Sequence, residues 1–128
     1  MRPPVLVAEA DEVVRAFLVC VLASAGFRVA AVPGGAAALA RLSDPAHEYA
    51  AAVMDCRMAG LSGPAVVARV RPHRPRLPVV LVSGGGHPDG AAELLGDPLV
   101  RFLAKPFSPS ELVRVVSGLL EGRAEGTS

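Results

Sequence analysis

The chain has 128 residues, of which 52% are hydrophobic and 20% are charged, so it fits one compact domain with a substantial core. The net charge of +1 and the scattered arginines provide no basic stripe, which argues against direct nucleic-acid binding. Two cysteines are too few for a disulfide framework, and no apolar run reaches the roughly 18 residues of a membrane span, so we expect a cytoplasmic protein.

Short apolar runs alternate with helical patterns along the chain. The first run, Val5–Ala8, follows the amino terminus without a signal peptide and has the unbroken apolar character of a buried parallel strand. Gly26 stands where the first helix should end, and Ser108 and Glu111 have capping-box spacing at the start of the last one. The predicted strands are 5–8, 28–32, 51–54, 79–82 and 101–104, and the predicted helices are 12–25, 35–42, 64–71, 91–95 and 108–120.

Five strands that alternate with five helices predict an α/β fold, in which helices cover both faces of a parallel sheet through right-handed crossovers. We expect the flavodoxin-like strand order 2-1-3-4-5. The domain should cover residues 1–121, and residues 122–128 should form a disordered tail. The glycine-rich stretch 83–90 is expected to be a long flexible loop.

Polar side chains follow the strands at the edge where open α/β sheets carry their chemistry. Asp55 ends the third strand, and Glu9, with Asp11 as a further candidate, follows the neighbouring first strand. Adjacent strands lie ~4.8 Å apart, so these like charges need a positive partner such as Mg²⁺. Ser83 and Lys105 follow the fourth and fifth strands and add a hydroxyl and an ammonium. Together these groups predict phosphoryl transfer with Asp55 as a carboxylate nucleophile.

From Val5 to Leu120 the chain resembles a response-regulator receiver domain of two-component signalling. The matching segments are the acidic turn after the first strand, residues 55–63, Ser83 after the fourth strand, and the run Lys105-Pro106-Phe107. The resemblance implies that Asp55 accepts a phosphoryl group from a histidine kinase or a histidine phosphotransfer protein, with bound Mg²⁺ assisting. It also implies that Ser83, as a switch hydroxyl, and Lys105 contact the phosphoryl oxygens.

The same resemblance assigns roles to the surroundings of this pocket. The metal ligands would be Glu9, Asp55 and the backbone carbonyl of Arg57, and Phe102 occupies the aromatic switch position. Lys105 and Pro106 correspond to a junction that is usually a cis peptide. A downstream protein would dock on the face formed by the fourth helix, the fifth strand and the fifth helix. No enzymatic turnover is expected, because the domain only accepts a phosphoryl group on its own aspartate.

One position departs from the family pattern in a way that affects the metal. Ala10 stands where the family usually has a second acid, which is its main side-chain metal ligand. We therefore expect weak Mg²⁺ binding and slow phosphorylation, unless Asp11 or water fills the gap. Ala59 replaces a usual proline and should loosen the loop without removing a ligand. The main alternative is a degenerate receiver that binds a partner without being phosphorylated.

Two other protein classes fit the sequence less well. A flavin-binding protein of this fold would need a loop rich in hydroxyls and glycine after the first strand, where Glu9 and Asp11 would instead repel a phosphate. A phosphatase with an aspartate nucleophile would need a general acid two residues beyond Asp55. Arg57 occupies that place, so steady turnover is not expected.

Overall fold

The computed structural model describes residues 2–84 and 91–127, with side chains described as far as residue 122. A single 3-10 turn, Ala92–Leu94, lies between the last two strands. The strands are β1 Val5–Ala8, β2 Val29–Val32, β3 Ala51–Asp55, β4 Val79–Ser83 and β5 Val100–Ala104. The α-helices are α1 Glu12–Ser24, α2 Gly35–Ser43, α3 Gly63–Val70 and α4 Pro109–Thr127.

All five strands are parallel and lie in the order β2-β1-β3-β4-β5, which confirms the predicted fold. Successive residues of a strand point to opposite faces of the sheet. Leu6 of β1 belongs to a core that also contains residues of α2 and α3. Val5 and Val7 belong to a second core with residues of α1 and α4. Helices therefore cover both faces, and only the strand ends are left to carry polar chemistry.

The helix ends follow local sequence signals. Asp11 caps α1, because its Oδ1 accepts hydrogen bonds from the backbone amides of the second and third residues of the helix. Gly26 has a φ of 96°, the left-handed conformation that ends a helix at low cost in glycine. Ser108 and Glu111 exchange hydrogen bonds as a capping box before α4. No helix within the described residues is long and apolar enough to span a membrane.

Two predicted helices differ from the structure. The fourth, expected over 91–95, is only the 3-10 turn Ala92–Leu94, because Gly96 follows too soon for a stable α-helical nucleus. The last helix was expected to end near Leu120 and continues to Thr127, because no proline interrupts the sequence after it.

Two further expectations stay predictions. The structure does not test the division of the chain at residue 121 into a domain and a tail. Most of the loop expected over 83–90 lies outside the described residues, which exclude 85–90.

Candidate functional site

Asp55 is the last residue of β3 and is only 6% exposed. Its Oδ1 accepts a hydrogen bond from the backbone amide of Arg57 at 2.9 Å. Its Oδ2 accepts one from the Nζ of Lys105 at 2.8 Å. Both carboxylate oxygens are therefore held by donors, and the side chain has a fixed orientation at the edge of the sheet.

Lys105 follows β5, so β4 lies between it and Asp55. The backbone amide of Lys105 donates to the carbonyl of Ser83, the last residue of β4, at 2.8 Å. This bond fixes the start of the lysine side chain, which then reaches past the end of β4. The Lys105–Pro106 peptide is cis, as the family resemblance predicted. The parallel sheet thus brings the predicted acceptor and the predicted ammonium into direct contact.

Glu9 lies directly after β1 and is 4% exposed. Its Oε1 accepts a hydrogen bond from the backbone amide of Asp11 at 3.0 Å. Its Oε2 is buried and has no hydrogen-bond partner among the described residues. An acceptor in this condition is costly unless a proton or a cation satisfies it. The backbone carbonyl of Glu9 accepts a hydrogen bond from a guanidinium nitrogen of Arg15 at 2.9 Å, so α1 holds this loop in place.

The three charged groups change one another's proton affinity. Burial raises the pKa of Glu9 to about 7, and a hydrogen bond that protonated Glu9 can donate to Asp55 adds to this rise. Burial alone would also raise the pKa of Asp55, but hydrogen bonding with Glu9, Lys105 and the Arg57 amide lowers it. Burial would lower the pKa of Lys105, but the hydrogen bond and charge of Asp55 raise it. At neutral pH the pocket therefore holds an ionised Asp55, a charged Lys105 and a partly protonated Glu9.

The other predicted site residues lie at different distances from this centre. Ser83 is buried at the end of β4, beside Asp55. Phe102 lies in β5, is half-buried, and packs against the core on the α2 and α3 side of the sheet. The carboxylate of Asp11 is occupied in capping α1, and Ala10 is exposed. The structure therefore assembles Asp55, Lys105, Ser83 and Glu9, and places Asp11 in a helix cap.

The oxygen atoms around Asp55 were compared with the needs of Mg²⁺, the metal that the resemblance implies. No cluster of three or more histidine, cysteine or acidic side chains suited to a metal occurs in the described part of the chain. Mg²⁺ commonly takes one or two carboxylates and completes its shell with waters and phosphate oxygens. The Asp55 carboxylate and the unpaired Oε2 of Glu9 meet that requirement. The residues present thus fit a magnesium site with few protein ligands.

Sequence reasoning missed two contacts at this site. An aspartate directly before a helical pattern is the usual signal for a cap, and this signal could have assigned Asp11 correctly. The bond from Arg15 to the carbonyl of Glu9 has no comparable signal, because it depends on how α1 leaves the sheet.

Known proteins share both the sequence pattern and the fold. The family described as the response regulator receiver domain matches residues 5–117. The C4-dicarboxylate transport transcriptional regulatory protein DctD of Rhizobium meliloti is 34% identical over 113 residues, which cover 88% of this chain and 24% of that protein. The response regulator protein FleR of Pseudomonas aeruginosa is 30% identical over 127 residues, which cover 99% of this chain and 26% of that protein. The chain thus spans about a quarter of the length of these curated relatives.

A solved structure gives the same result for the fold. The crystal structure of a response regulator receiver protein from Sinorhizobium medicae WSM419 is 30% identical and has a TM-score of 0.84. The similarity covers 95% of this chain and 97% of that one. The likeness therefore extends over nearly all of both chains.

Proposed function

This chain belongs to the response regulator receiver family, and on that premise we propose that Asp55 accepts a phosphoryl group from a histidine kinase or a histidine phosphotransfer protein. Receiver domains are signalling domains of two-component systems and are generally not enzymes. The observation that carries the proposal is the 2.8 Å contact between the Asp55 carboxylate and the Lys105 ammonium, at the edge of the sheet where ligands can enter.

The chemistry proposed for Asp55 needs an ionised carboxylate. The lowered pKa of Asp55 keeps it in that form at neutral pH. One carboxylate oxygen attacks the phosphorus of the phosphohistidine, the bond from phosphorus to nitrogen breaks, and the histidine nitrogen keeps the electron pair. Lys105, which contacts Oδ2 before transfer, is placed to attract the phosphoryl oxygens afterwards. Ser83, at the end of β4, would donate its hydroxyl proton to another phosphoryl oxygen.

Glu9, Asp55 and the backbone carbonyl of Arg57 would hold Mg²⁺. When bound, the ion supplies positive charge that stabilises the phosphoryl oxygens during transfer. Glu9 must lose its proton to act as a ligand, and its raised pKa makes that loss costly below about pH 7. This cost and the methyl group of Ala10 both support the expectation of weak metal binding.

The output proposed for the phosphorylated form is a change at the surface around Phe102. This residue is half-buried in β5, so a rearrangement at the neighbouring strand end can change its packing. A downstream protein would dock on the face formed by the segment after β4, by β5 and by α4. The 3-10 turn Ala92–Leu94 takes the place of the fourth helix on this face.

A degenerate receiver is the second candidate, and Ala10 is the observation that favours it. Without the second acid, the buried Oε2 of Glu9 can be satisfied by a proton instead of a metal, as the raised pKa of Glu9 indicates. Such a domain would bind its partner through the same surfaces with Asp55 unmodified.

Incubation with a small acyl phosphate and Mg²⁺, followed by intact-mass measurement, separates the two candidates. We expect the wild type to gain one phosphoryl group and the Asp55→Asn variant to gain none. Glu48→Gln, which alters an exposed acid elsewhere, is the matched control and should behave as the wild type does. A wild type that stays unmodified while a known receiver is phosphorylated in the same buffer would support the degenerate receiver.

A further inference from the structure

Positive charge is concentrated in one part of this nearly neutral chain. Residues 56–88 contain five arginines and no acidic residue. Arg71 and Arg74 have partners inside the fold, an aspartate carboxylate for the first and backbone carbonyls for the second. Arg57 and Arg69 are exposed, and neither guanidinium forms a hydrogen bond or an ion pair within the described residues. Two unpaired cations therefore stand on the α3 side of the molecule.

Arg57 and Arg69 border the same open cleft, which has a volume of about 680 Å³ and is walled by the loop 56–62. A second cleft of about 430 Å³ adjoins it and shares Leu61 and Arg69 with it. Its remaining wall is small and apolar, and includes Leu39 and Ala40 of α2. The two clefts together, here called the α2–α3 groove, are basic at one end and apolar at the other.

The wall of this groove is held rigidly against the fold. A Cβ atom on Gly35, the first residue of α2, would lie 2.1 Å from the carbonyl oxygen of Leu61. A Cβ atom on Gly63 would lie 2.7 Å from the carbonyl oxygen of Asp55. Such approaches are possible only for glycine, so the loop is fixed at both ends. A groove that is already formed loses little conformational entropy when it binds.

We propose that the α2–α3 groove binds an acidic, amphipathic segment of a partner protein. Its carboxylates would pair with Arg57 and Arg69, and its apolar side chains would cover Leu39, Ala40 and Leu61. Complementary charge at one end and an apolar floor at the other fit a helix with one acidic and one apolar face. This binding goes beyond phosphoryl acceptance and uses no atom of Asp55.

The chemistry of the groove favours protein over nucleic acid. Nucleic-acid binding depends on the neutralisation of many phosphates, and this groove offers only two unpaired arginines. Its other half is apolar and would stay uncovered against a phosphate backbone. The net charge of +1 gives no wider attraction for a polyanion.

The test uses a fluorescein-labelled helical peptide of glutamate and leucine, with the leucines on one face, and reads binding to the full chain by anisotropy. We expect saturable binding that weakens with salt, and no binding of the same peptide with lysine in place of glutamate. The double variant Arg57→Gln/Arg69→Gln should bind about tenfold more weakly. Arg76→Gln/Arg114→Gln, which removes two exposed arginines elsewhere, should bind as the wild type does.

Ala40 offers a test of sign at an exposed helix position. Ala40→Glu places a negative charge beside the groove and should weaken binding, whereas Ala40→Lys should preserve or strengthen it. Equal effects of the two substitutions would overturn the proposal, as would unchanged binding by the Arg57→Gln/Arg69→Gln variant. Tighter binding of an oligonucleotide than of the peptide, or self-association that Ala40→Glu abolishes, would overturn the choice of occupant. The same binding by Asp55→Asn keeps this result independent of whether Asp55 is phosphorylated.

Discussion

The Nζ of Lys105 lies 2.8 Å from the Oδ2 of Asp55, although fifty positions separate the two residues in the chain. The contact crosses the end of β4, because the strands that carry the two residues are not neighbours. Each member raises the other's preference for the charged state. The pair thus keeps a nucleophilic carboxylate and a phosphate-binding cation ready in the same pocket.

Removal of the Lys105 charge should raise the pKa of Asp55. Lys105→Gln takes away the ammonium that opposes the effect of burial, whereas Lys105→Arg keeps a positive charge. The side-chain carbon resonance of Asp55, followed by NMR against pH, should shift its midpoint upward in the first variant and much less in the second. At neutral pH the free energy of unfolding should fall by about 1 kcal/mol in Lys105→Gln, since Lys105 is partly exposed. Equal midpoints in the two variants would contradict this role.

Glu9 should make stability depend on pH in a window set by its two pKa values. Its pKa is about 7 in the folded protein, whereas the ordinary pKa of a glutamate side chain is 4.5. The native state therefore holds this proton more tightly, so the contribution is complete below about pH 4.5 and is lost as pH rises through 7. The loss is at most about 3 kcal/mol. The lowered pKa of Asp55 acts in the opposite direction, but only below 3.8.

Urea unfolding between pH 5 and 8 in a metal chelator measures this effect. The wild type should lose stability across that range, and Glu9→Gln should lose much less. Glu48→Gln, an exposed control, should follow the wild type. A slope in Glu9→Gln as steep as in the wild type would show that another group titrates.

Ala10→Asp should strengthen Mg²⁺ binding. The new carboxylate would join Glu9 and Asp55, and an added anionic ligand raises affinity for a hard cation. A titration of Mg²⁺ by calorimetry should show the increase, while Ala10→Asn, of similar size and no charge, should gain far less. Ala59→Pro, which stiffens the loop without adding a ligand, is a second control. Equal affinities of the wild type and Ala10→Asp would disprove the explanation of weak metal binding.

Gly35 and Gly34 are neighbours with different expected sensitivity to substitution. A Cβ on Gly35 would meet the carbonyl of Leu61 at 2.1 Å, whereas a Cβ on Gly34 would meet nothing within 4 Å. Gly35→Ala should therefore lower the free energy of unfolding by about 1–3 kcal/mol, because the loop must move away from α2. Gly34→Ala should change it by less than about 0.5 kcal/mol. Chemical denaturation of both variants checks this, and equal losses would refute the close approach.

The sequence predicted the strand order and the meeting of Asp55 with Lys105, because both follow from rules about parallel sheets. An apolar run followed by a polar residue marks a strand end, and the carboxyl ends of parallel strands share one edge. The capping box at Ser108 and Glu111 was equally predictable, since it depends on residues close in the chain. These features need only local pattern and topology.

Other features depend on distances that no local pattern encodes. The unpaired Oε2 of Glu9 results from how the turn after β1 packs beside Asp55. The contact of Gly35 with Leu61 joins two segments that have no sequence signal for each other. The length of α4 was missed for a different reason, because glycine and charged residues near Leu120 resemble the end of a helix and do not stop one.

Borohydride trapping tests the central claim most directly. Reduction of an aspartyl phosphate converts that residue to homoserine, which peptide mass mapping locates in the chain. After treatment with a small acyl phosphate and Mg²⁺, we predict homoserine at position 55 in the wild type and none in Lys105→Gln under the same brief exposure. An unreduced Asp55 in the phosphodonor-treated wild type, or homoserine at another aspartate, would contradict the assignment of Asp55 as the phosphoryl acceptor.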